Sequence, residues 1–261
     1  MNHILGLATT QEMAERLAAP RVALLPVGAT EQHGPNLGMA VDYRIAEELA
    51  MRVAEELDGG AVVVPPLPYG LSGHHMAFPG TISIGAEAFS AVLLDVVRSL
   101  AQHGIRHFLF VNGHMGNQSI LGVLTNRIRF ELGHHAANAF YFAQAKDVIA
   151  RHAQTERWGH ACEVETSVAM ALVPELVRSR DLEPGDLIEE YDYLEDNYQP
   201  HALQVPKSFA ERTRNGAFGD ATLATREAGE EIVATAVERI AGFARDFLAK
   251  PDPAGSEPGR A

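Results

Sequence analysis

The amino-acid sequence predicts one α/β domain with a mostly parallel β-sheet that is covered by helices on both faces. Two observations support this prediction. Short runs in which every residue is apolar alternate with longer segments of helical period, and 46% of the 261 residues are hydrophobic. Strands that are apolar at every position belong to sheets buried on both faces, and the chain is long enough to bury a sizeable core.

Apolar runs predict the strands, at residues 22–28, 61–64, 108–111 and 139–142. Other segments predict helices because their apolar residues recur every three or four positions, as Ile45, Leu49 and Val53 do. The predicted helices span about residues 43–57, 86–103, 118–132, 163–172 and 221–248.

The predicted domain spans residues 1–250, and the tail at 251–261 is predicted to be disordered given its proline and glycine content. Residues 181–210 are acidic and interrupted by prolines, which predicts an irregular excursion. This segment covers the site, meets a neighbouring subunit or forms an ordinary surface loop, and the sequence does not distinguish these interpretations.

The charge and the cysteine content exclude several classes of protein. The formal net charge is -13, and such a surface repels nucleic-acid phosphates and anionic membranes. The single cysteine, Cys162, cannot form an intrachain disulfide. The sequence shows neither a signal-peptide pattern nor the roughly 20 apolar residues that cross a bilayer. We therefore expect a cytoplasmic protein that acts on a small molecule.

Polar residues follow the first and third predicted strands at their carboxyl ends, where open parallel sheets bind ligands. If the backbone stays extended, Glu31 and His33 point the same way. His114 lies in a glycine-flanked turn, and histidines after two strands of one sheet can converge on one crevice. The alternative for Glu31 and His33 is a solvated loop. Asp42 stands just before a helix, where an N-cap is the alternative to a metal ligand.

A further set of candidates lies at residues 158–167. If a helix begins near His160, then His160 and Glu163 share one face and Glu165 points elsewhere. Glu163 is therefore the better candidate for a metal ligand, and Glu165 is interpreted as a structural group. Cys162 is interpreted as a small buried residue because no second thiol accompanies it.

Together these segments resemble the creatininase family, also called the creatinine amidohydrolases. The resemblance covers about residues 22–230 in blocks that occur in family order, with Asp42 after the first block. The blocks are GATEQHGP at 28–35, YGLSGHHMAFPGT at 69–81, NGHMGN at 112–117, HACEVETS at 160–167 and GAFGD at 216–220.

The resemblance implies a three-layer α/β/α fold, a homo-hexamer and two divalent metal ions in each subunit. It implies that Glu31 and His114 hold one metal ion, that His33 holds the other and that Asp42 bridges them. His160 falls on the histidine that transfers a proton in creatininase.

The sequence departs from creatininase at Gly116, where creatininase has a metal-binding glutamate. Other branches of the family also have glycine there and carry a ligand in the later block, which leaves Glu163 as the residue able to fill the vacancy. Ser72 and His75 line the substrate pocket by the same resemblance, although their loop could also satisfy only its own backbone. Trp158 is the only tryptophan, so the substrate-holding tryptophans of creatininase have no match and creatinine is not the expected substrate.

Three carboxylates and two neutral imidazoles bring a charge of about -3 to two divalent ions, which favours a bridging hydroxide. The mixed nitrogen and oxygen donors suit zinc first, with manganese and iron as alternatives. The expected reaction is hydrolysis of a non-peptide C–N bond in a small cyclic or linear amide, with His160 delivering a proton to the leaving nitrogen.

Several other functions are compatible with the sequence. Within the family they are a formamide deformylase, a peptidase acting on a modified peptide and a hydrolase of sugar-derived rings. A catalytically inactive metal-binding subunit is a candidate of another class. A two-metal phosphoesterase would need cations near the metals, for which Arg44 and Arg106 are the nearby candidates in sequence.

Overall fold

The computed structural model describes residues 3–188 and 206–251. This part of the chain contains a four-stranded, fully parallel sheet with the strand order β2-β1-β3-β4. The strands are β1 Val22–Val27, β2 Ala61–Val63, β3 His107–Asn112 and β4 His135–Phe140.

All four predicted strands are confirmed, but the predicted bounds of the fourth, 139–142, are wrong. Strand β4 ends at Phe140, and the next residue, Tyr141, already begins a helix. The first four residues of β4 lie at the sheet edge and are only partly buried. Because His135 and Asn138 interrupt the apolar run there, the continuous pattern begins only at the carboxyl end of the strand.

Helices surround the sheet. They are α1 Thr10–Arg16, α2 Val41–Glu56, α3 Ala86–Gln102, α4 Gln118–Phe130, α5 Tyr141–Gln144, α6 Lys146–His152, α7 Glu163–Leu172 and α8 Arg226–Leu248. Helix α8 begins later than predicted because Thr225 caps it by accepting the N–H of Ala228, whereas Ala221–Leu223 forms a separate 3-10 turn. Over the described residues no helix combines the length and apolar character needed to span a membrane.

The sheet separates two apolar cores, which confirms the three-layer α/β/α fold. Alternate strand residues face opposite layers because side chains repeat every second residue in a strand. Leu24 and Leu109 pack into the core formed with α2, α7 and α8, and Phe108 and Phe110 pack against α3 and α4.

The amino end of α2 reaches the carboxyl ends of β1 and β3 because two glycines leave room for it. A Cβ at Gly28 would lie 2.3 Å from the backbone nitrogen of Tyr43, and one at Gly113 would lie 2.1 Å from the backbone oxygen of Asp42. Any other residue at either position would push the helix away. These contacts place Asp42 between the segments that follow the two strands.

The acidic excursion predicted at 181–210 falls largely outside the described residues, as does the predicted disordered tail beyond residue 251. The described flanks of the excursion lie against the segment that carries the last sequence block. Pro184 bridges Asp220, and Leu187 bridges Thr213.

Candidate metal centre

Buried acidic and imidazole side chains meet at the carboxyl edge of the sheet. Each is at most 5% exposed. They come from the segment after β1, the start of α2, the Gly73–His75 turn, the segment after β3, and the start of α7 with the residues before it. The residues are Glu31, His33, Asp42, His75, His114, His160 and Glu165.

Glu31, Asp42 and His114 form one group of possible metal ligands. The Nδ1 atom of His114 lies 3.2 Å from Oε1 of Glu31 and 3.0 Å from Oδ2 of Asp42. Donor atoms around one ion, each about 2.0–2.2 Å from it, are separated by similar distances. The geometry of this group therefore fits a single divalent cation.

His33, His160 and Glu165 form a second group. Nε2 of His33 lies 3.7 Å from Oε1 of Glu165, and Nδ1 of His160 lies 4.0 Å from Oε2 of Glu165. The other oxygen of Asp42, Oδ1, lies 3.1 Å from Nε2 of His33. Asp42 thus presents one oxygen to each group, which is the arrangement expected of a carboxylate that bridges two ions.

Three of the histidines donate from one ring nitrogen to a backbone carbonyl, which turns the other nitrogen toward the cluster. His33 donates from Nδ1 to Glu31 O at 3.1 Å, and His114 donates from Nε2 to Leu71 O at 3.2 Å. His160 donates from Nε2 to the backbone oxygen of Gln32 at 2.7 Å. Metal-binding histidines are commonly oriented in this way, and here the other nitrogen of each ring faces the carboxylates.

The electrostatics of the cluster favour a cation at its centre. Burial alone would lower the pKa of His33 and His114, but the neighbouring carboxylates raise it well above the usual value. Burial would raise the pKa of Asp42, but the two histidines lower it well below its usual range. Glu31 Oε2 is buried without a hydrogen-bond partner, which is costly unless a cation satisfies it.

Burial lowers the pKa of His160 well below the ordinary histidine value, and the charge of a protonated His33 lowers it further. The lowered pKa favours a neutral imidazole. His160 lies before helix α7, in a backbone bridge with Phe218, and its Nδ1 faces Glu31 and Glu165 at 3.9 and 4.0 Å.

The structure does not bring Glu163 to the cluster, and the prediction that Glu165 points elsewhere is wrong. Helix α7 begins at Glu163 rather than near His160, so the assumed pairing of His160 and Glu163 on one helical face does not exist. The Glu163 carboxylate instead accepts the backbone N–H groups of Gln154, Thr155 and Asp220. Two acidic residues stood two positions apart in the sequence, and only the start of the helix determines which one faces the cluster.

Ser72 is fully buried, and its Oγ lies 3.4 Å from Nε2 of His114. His75 also reaches the cluster, with Nε2 at 3.3 Å from Oε1 of Glu31. Their substrate-binding role stays a prediction. At Gly116 a Cβ would lie 2.3 Å from Nε2 of His114 and 2.5 Å from Leu71 O, so a side chain would displace the histidine.

Two contributors to the site were not predicted from the sequence. Gln32 lies between His75 and His160, with its Nε2 at 2.8 Å from Nδ1 of His75. Phe209, from the turn Phe209–Glu211, stacks on His75 with ring centroids 4.1 Å apart and meets His160 edge-on at 4.8 Å. Neither carries the charge or the metal-binding nitrogen that marks a candidate in sequence.

The cations considered for a phosphoesterase do not face the cluster. Arg44 contacts Glu47, Glu48 and Glu175 on the surface. Arg106 precedes β3, at the amino ends of the strands and therefore at the opposite end of the sheet from the cluster. It donates to backbone carbonyls there.

Known proteins share the whole of this architecture. The sequence profile of the creatininase family, described as creatinine amidohydrolase, matches residues 7–244. The mycofactocin precursor peptide peptidase of Mycolicibacterium smegmatis is 36% identical over 244 residues, which cover 90% of this chain and 89% of the relative. The creatinine amidohydrolase of Pseudomonas putida is 32% identical over 259 residues, covering 92% and 95%. The 3-dehydro-scyllo-inosose hydrolase of Thermotoga maritima is 27% identical over 270 residues, covering 96% and 85%.

Solved structures of similar proteins have the same fold. A protein described as a creatinine amidohydrolase from Bacteroides fragilis superposes with a TM-score of 0.81 at 28% identity, covering 96% of this chain and 98% of that one. A mutant creatininase of Zn-Zn type has a TM-score of 0.78 at 30% identity, covering 95% and 98%. A manganese creatininase has a TM-score of 0.77 at 29% identity, covering 95% and 99%. The chain belongs to the creatininase family of hydrolases.

Proposed function

We propose that this hydrolase uses two divalent metal ions to cleave a non-peptide C–N bond in a small cyclic or linear amide. The observation that carries the proposal is the pair of buried donor groups that share Asp42. Glu31, Asp42 and His114 would hold one ion, and His33, Asp42 and Glu165 the other. Zinc is the first candidate, since the donors are nitrogen and oxygen, and the similar creatininases include zinc and manganese forms.

The ions, when bound, lower the pKa of a water molecule and polarise the carbonyl group of the substrate. The side chain of His160 would transfer the proton. Because Nε2 of His160 donates to Gln32 O, the Nδ1 lone pair accepts the proton of the attacking water and then delivers it to the leaving nitrogen. The carboxylates of Glu31 and Glu165, at 3.9 and 4.0 Å from Nδ1, stabilise the imidazolium formed between the two transfers.

A peptidase acting on a modified peptide is a second candidate, favoured by the identity to the Mycolicibacterium smegmatis enzyme. Both candidates use the same hydrolysis of a C–N bond and differ in the size of the substrate. Trp158 is buried and stacks on Phe142 with ring centroids 6.1 Å apart. The predicted homo-hexamer is a separate proposal that light scattering would test.

The test combines metal replacement with a substrate panel. Metal-free protein and protein reloaded with zinc or manganese are assayed against creatinine, lactams, linear amides, formamides and short peptides. We expect metal-dependent hydrolysis of a small amide, and His160→Ala should lower turnover by roughly 10²-fold or more without lowering metal content.

His152→Ala is the matched control, because His152 pairs with Glu231 on the surface. Full activity in the His160→Ala variant would remove the proton-transfer role, and hydrolysis of peptides alone would favour the peptidase.

A further inference from the structure

His75 is the one histidine of the cluster whose nitrogens are arranged differently from those of His33, His114 and His160. It donates to no backbone carbonyl in the described contacts. Its Nδ1 faces the side-chain nitrogen of Gln32 at 2.8 Å, and its Nε2 faces Oε1 of Glu31 at 3.3 Å. His75 is 1% exposed, so it is shielded from bulk solvent.

The orientation of the Gln32 amide is determined by its other contacts. Its Oε1 accepts the backbone N–H of Gly34 at 2.8 Å, and its Nε2 donates to the backbone oxygen of Gly216 at 3.1 Å. The backbone oxygen of Gly216 can only accept, so the group of Gln32 that faces it must be the amide nitrogen. The same nitrogen faces Nδ1 of His75. Gly216 is needed for this contact, because a Cβ there would lie 2.0 Å from Oε1 of Gln32.

The tautomer of His75 follows from the orientation of Gln32. Nδ1 accepts the Gln32 N–H and carries no proton, so the ring proton of the neutral imidazole is on Nε2 and points to Oε1 of Glu31. Glu31, His75 and His160 also lie close enough together to form a third group of possible metal ligands. In this tautomer, however, both nitrogens of His75 are used and neither offers a lone pair to a metal ion. Phe209 covers one face of the ring by stacking at 4.1 Å. Because both ring nitrogens already have partners, no polar edge is left for a substrate.

We propose that Gln32 and His75 are positioning residues that orient Glu31 for metal binding, and that His75 is neither a metal ligand nor a substrate-binding group. In this Gln32–His75 relay, the N–H of His75 fixes Oε1 of Glu31, the oxygen that lies 3.2 Å from Nδ1 of His114 in the first ligand group. A carboxylate oxygen has two lone pairs, so it can accept this N–H and still face a cation. This inference rests on the proposed function only in requiring that the chain binds a divalent metal ion.

The test measures zinc affinity by competition with a chromophoric chelator, together with the visible absorption of the cobalt-substituted protein, so it needs no substrate. We expect His75→Phe and Gln32→Leu each to lower the zinc affinity of the site formed by Glu31, Asp42 and His114 by roughly 10–100-fold. This is the usual cost of losing a group that orients a metal ligand. His75→Gln, which can still donate an N–H toward Glu31, should recover most of the affinity and the wild-type cobalt spectrum. His152→Phe is the control, and thermal unfolding checks that each variant is folded.

Wild-type affinity in both His75→Phe and Gln32→Leu would overturn the relay. A cobalt spectrum that loses one nitrogen ligand in His75→Gln, with Gln32→Leu binding as tightly as wild type, would make His75 a ligand and also overturn it. Wild-type protein that binds no metal would instead remove the proposed function, and the relay with it. A wild-type chain that binds metal but hydrolyses no tested amide leaves the affinity comparison intact, so the two failures are distinguishable.

Discussion

The carboxylates of Glu163 and Glu165 lie on opposite sides of the first turn of α7 and have different partners. Glu163 accepts the backbone N–H groups of Thr155 and Asp220, which lie in two separate segments of the chain. Glu165 faces Nε2 of His33 and accepts the N–H of Ala161, whose positive φ of 48° turns the chain into the helix. One glutamate therefore organises the backbone around the centre and the other belongs to the centre.

This relationship predicts opposite effects for the same substitution. If the protein binds two zinc equivalents as proposed, Glu165→Gln should remove about one of them, because it removes a charged donor from the second group. Glu163→Gln should keep the zinc content and lower the free energy of unfolding by about 1–3 kcal/mol, since an amide nitrogen would face backbone donors in the interior. Elemental analysis and urea unfolding of the two variants check this. Zinc loss in Glu163→Gln with none in Glu165→Gln would reverse the assignment.

The pKa values of His33, His114 and Asp42 predict how metal binding depends on pH. In the metal-free protein the raised pKa values of His33 and His114 give stability that is complete below their unfolded pKa of about 6.5 and is lost as pH rises through the higher folded values. The lowered pKa of Asp42 gives stability above its unfolded pKa, which is lost only in strong acid. In the proposed binding mode zinc would replace the two imidazole protons, so its affinity should rise with pH.

The increase in melting temperature on adding zinc should therefore be larger at pH 8.5 than at pH 6. Differential scanning calorimetry with chelator and with zinc measures it, and calorimetric titrations in buffers of different ionisation enthalpy count the released protons. An equal zinc effect at both pH values, without proton release, would show that the two histidines are already neutral in the metal-free protein.

Gly116 allows a test of whether the missing glutamate of creatininase can be restored. Because a Cβ at Gly116 would lie 2.3 Å from Nε2 of His114, Gly116→Ala should displace that ring and weaken metal binding. Gly116→Glu should weaken it as well rather than add a ligand. Gly122→Ala is the matched control, because a Cβ there meets nothing within 4 Å. Tighter zinc binding by Gly116→Glu would mean that the His114 segment adapts to a longer side chain.

The sequence allowed the sheet and four of the clustered residues to be predicted for the same physical reason. Glu31, His33 and His114 follow apolar parallel strands, whose carboxyl ends meet at one edge, and Asp42 starts the helix packed against that edge. Local pattern could not place Glu165, because its direction depends on where α7 begins. The role of Gln32 could not be predicted from the sequence because its partners lie more than 40 positions away in the chain.

Phe209 provides the remaining prediction, which concerns the acidity of His160. The ring of Phe209 lies edge-on to His160 with centroids 4.8 Å apart, and burial is the largest cause of the low pKa of His160. Phe209→Ala should admit water to this imidazole and raise its pKa toward the ordinary value. Since the proposed base must be neutral, the acidic limb of kcat/KM against pH should move to higher pH.

Phe209→Ala also leaves a cavity, and such substitutions cost about 3–5 kcal/mol of stability. Phe209→Leu is therefore measured beside it, with a smaller shift in the same direction expected. Phe243→Ala serves as the control, because Phe243 is 43% exposed on α8 and the same change there should leave the profile where it is. An acidic limb that stays in place in both Phe209 variants, with zinc content and folding intact, would contradict this prediction, because shielding by Phe209 would then not set the pKa that the limb reports.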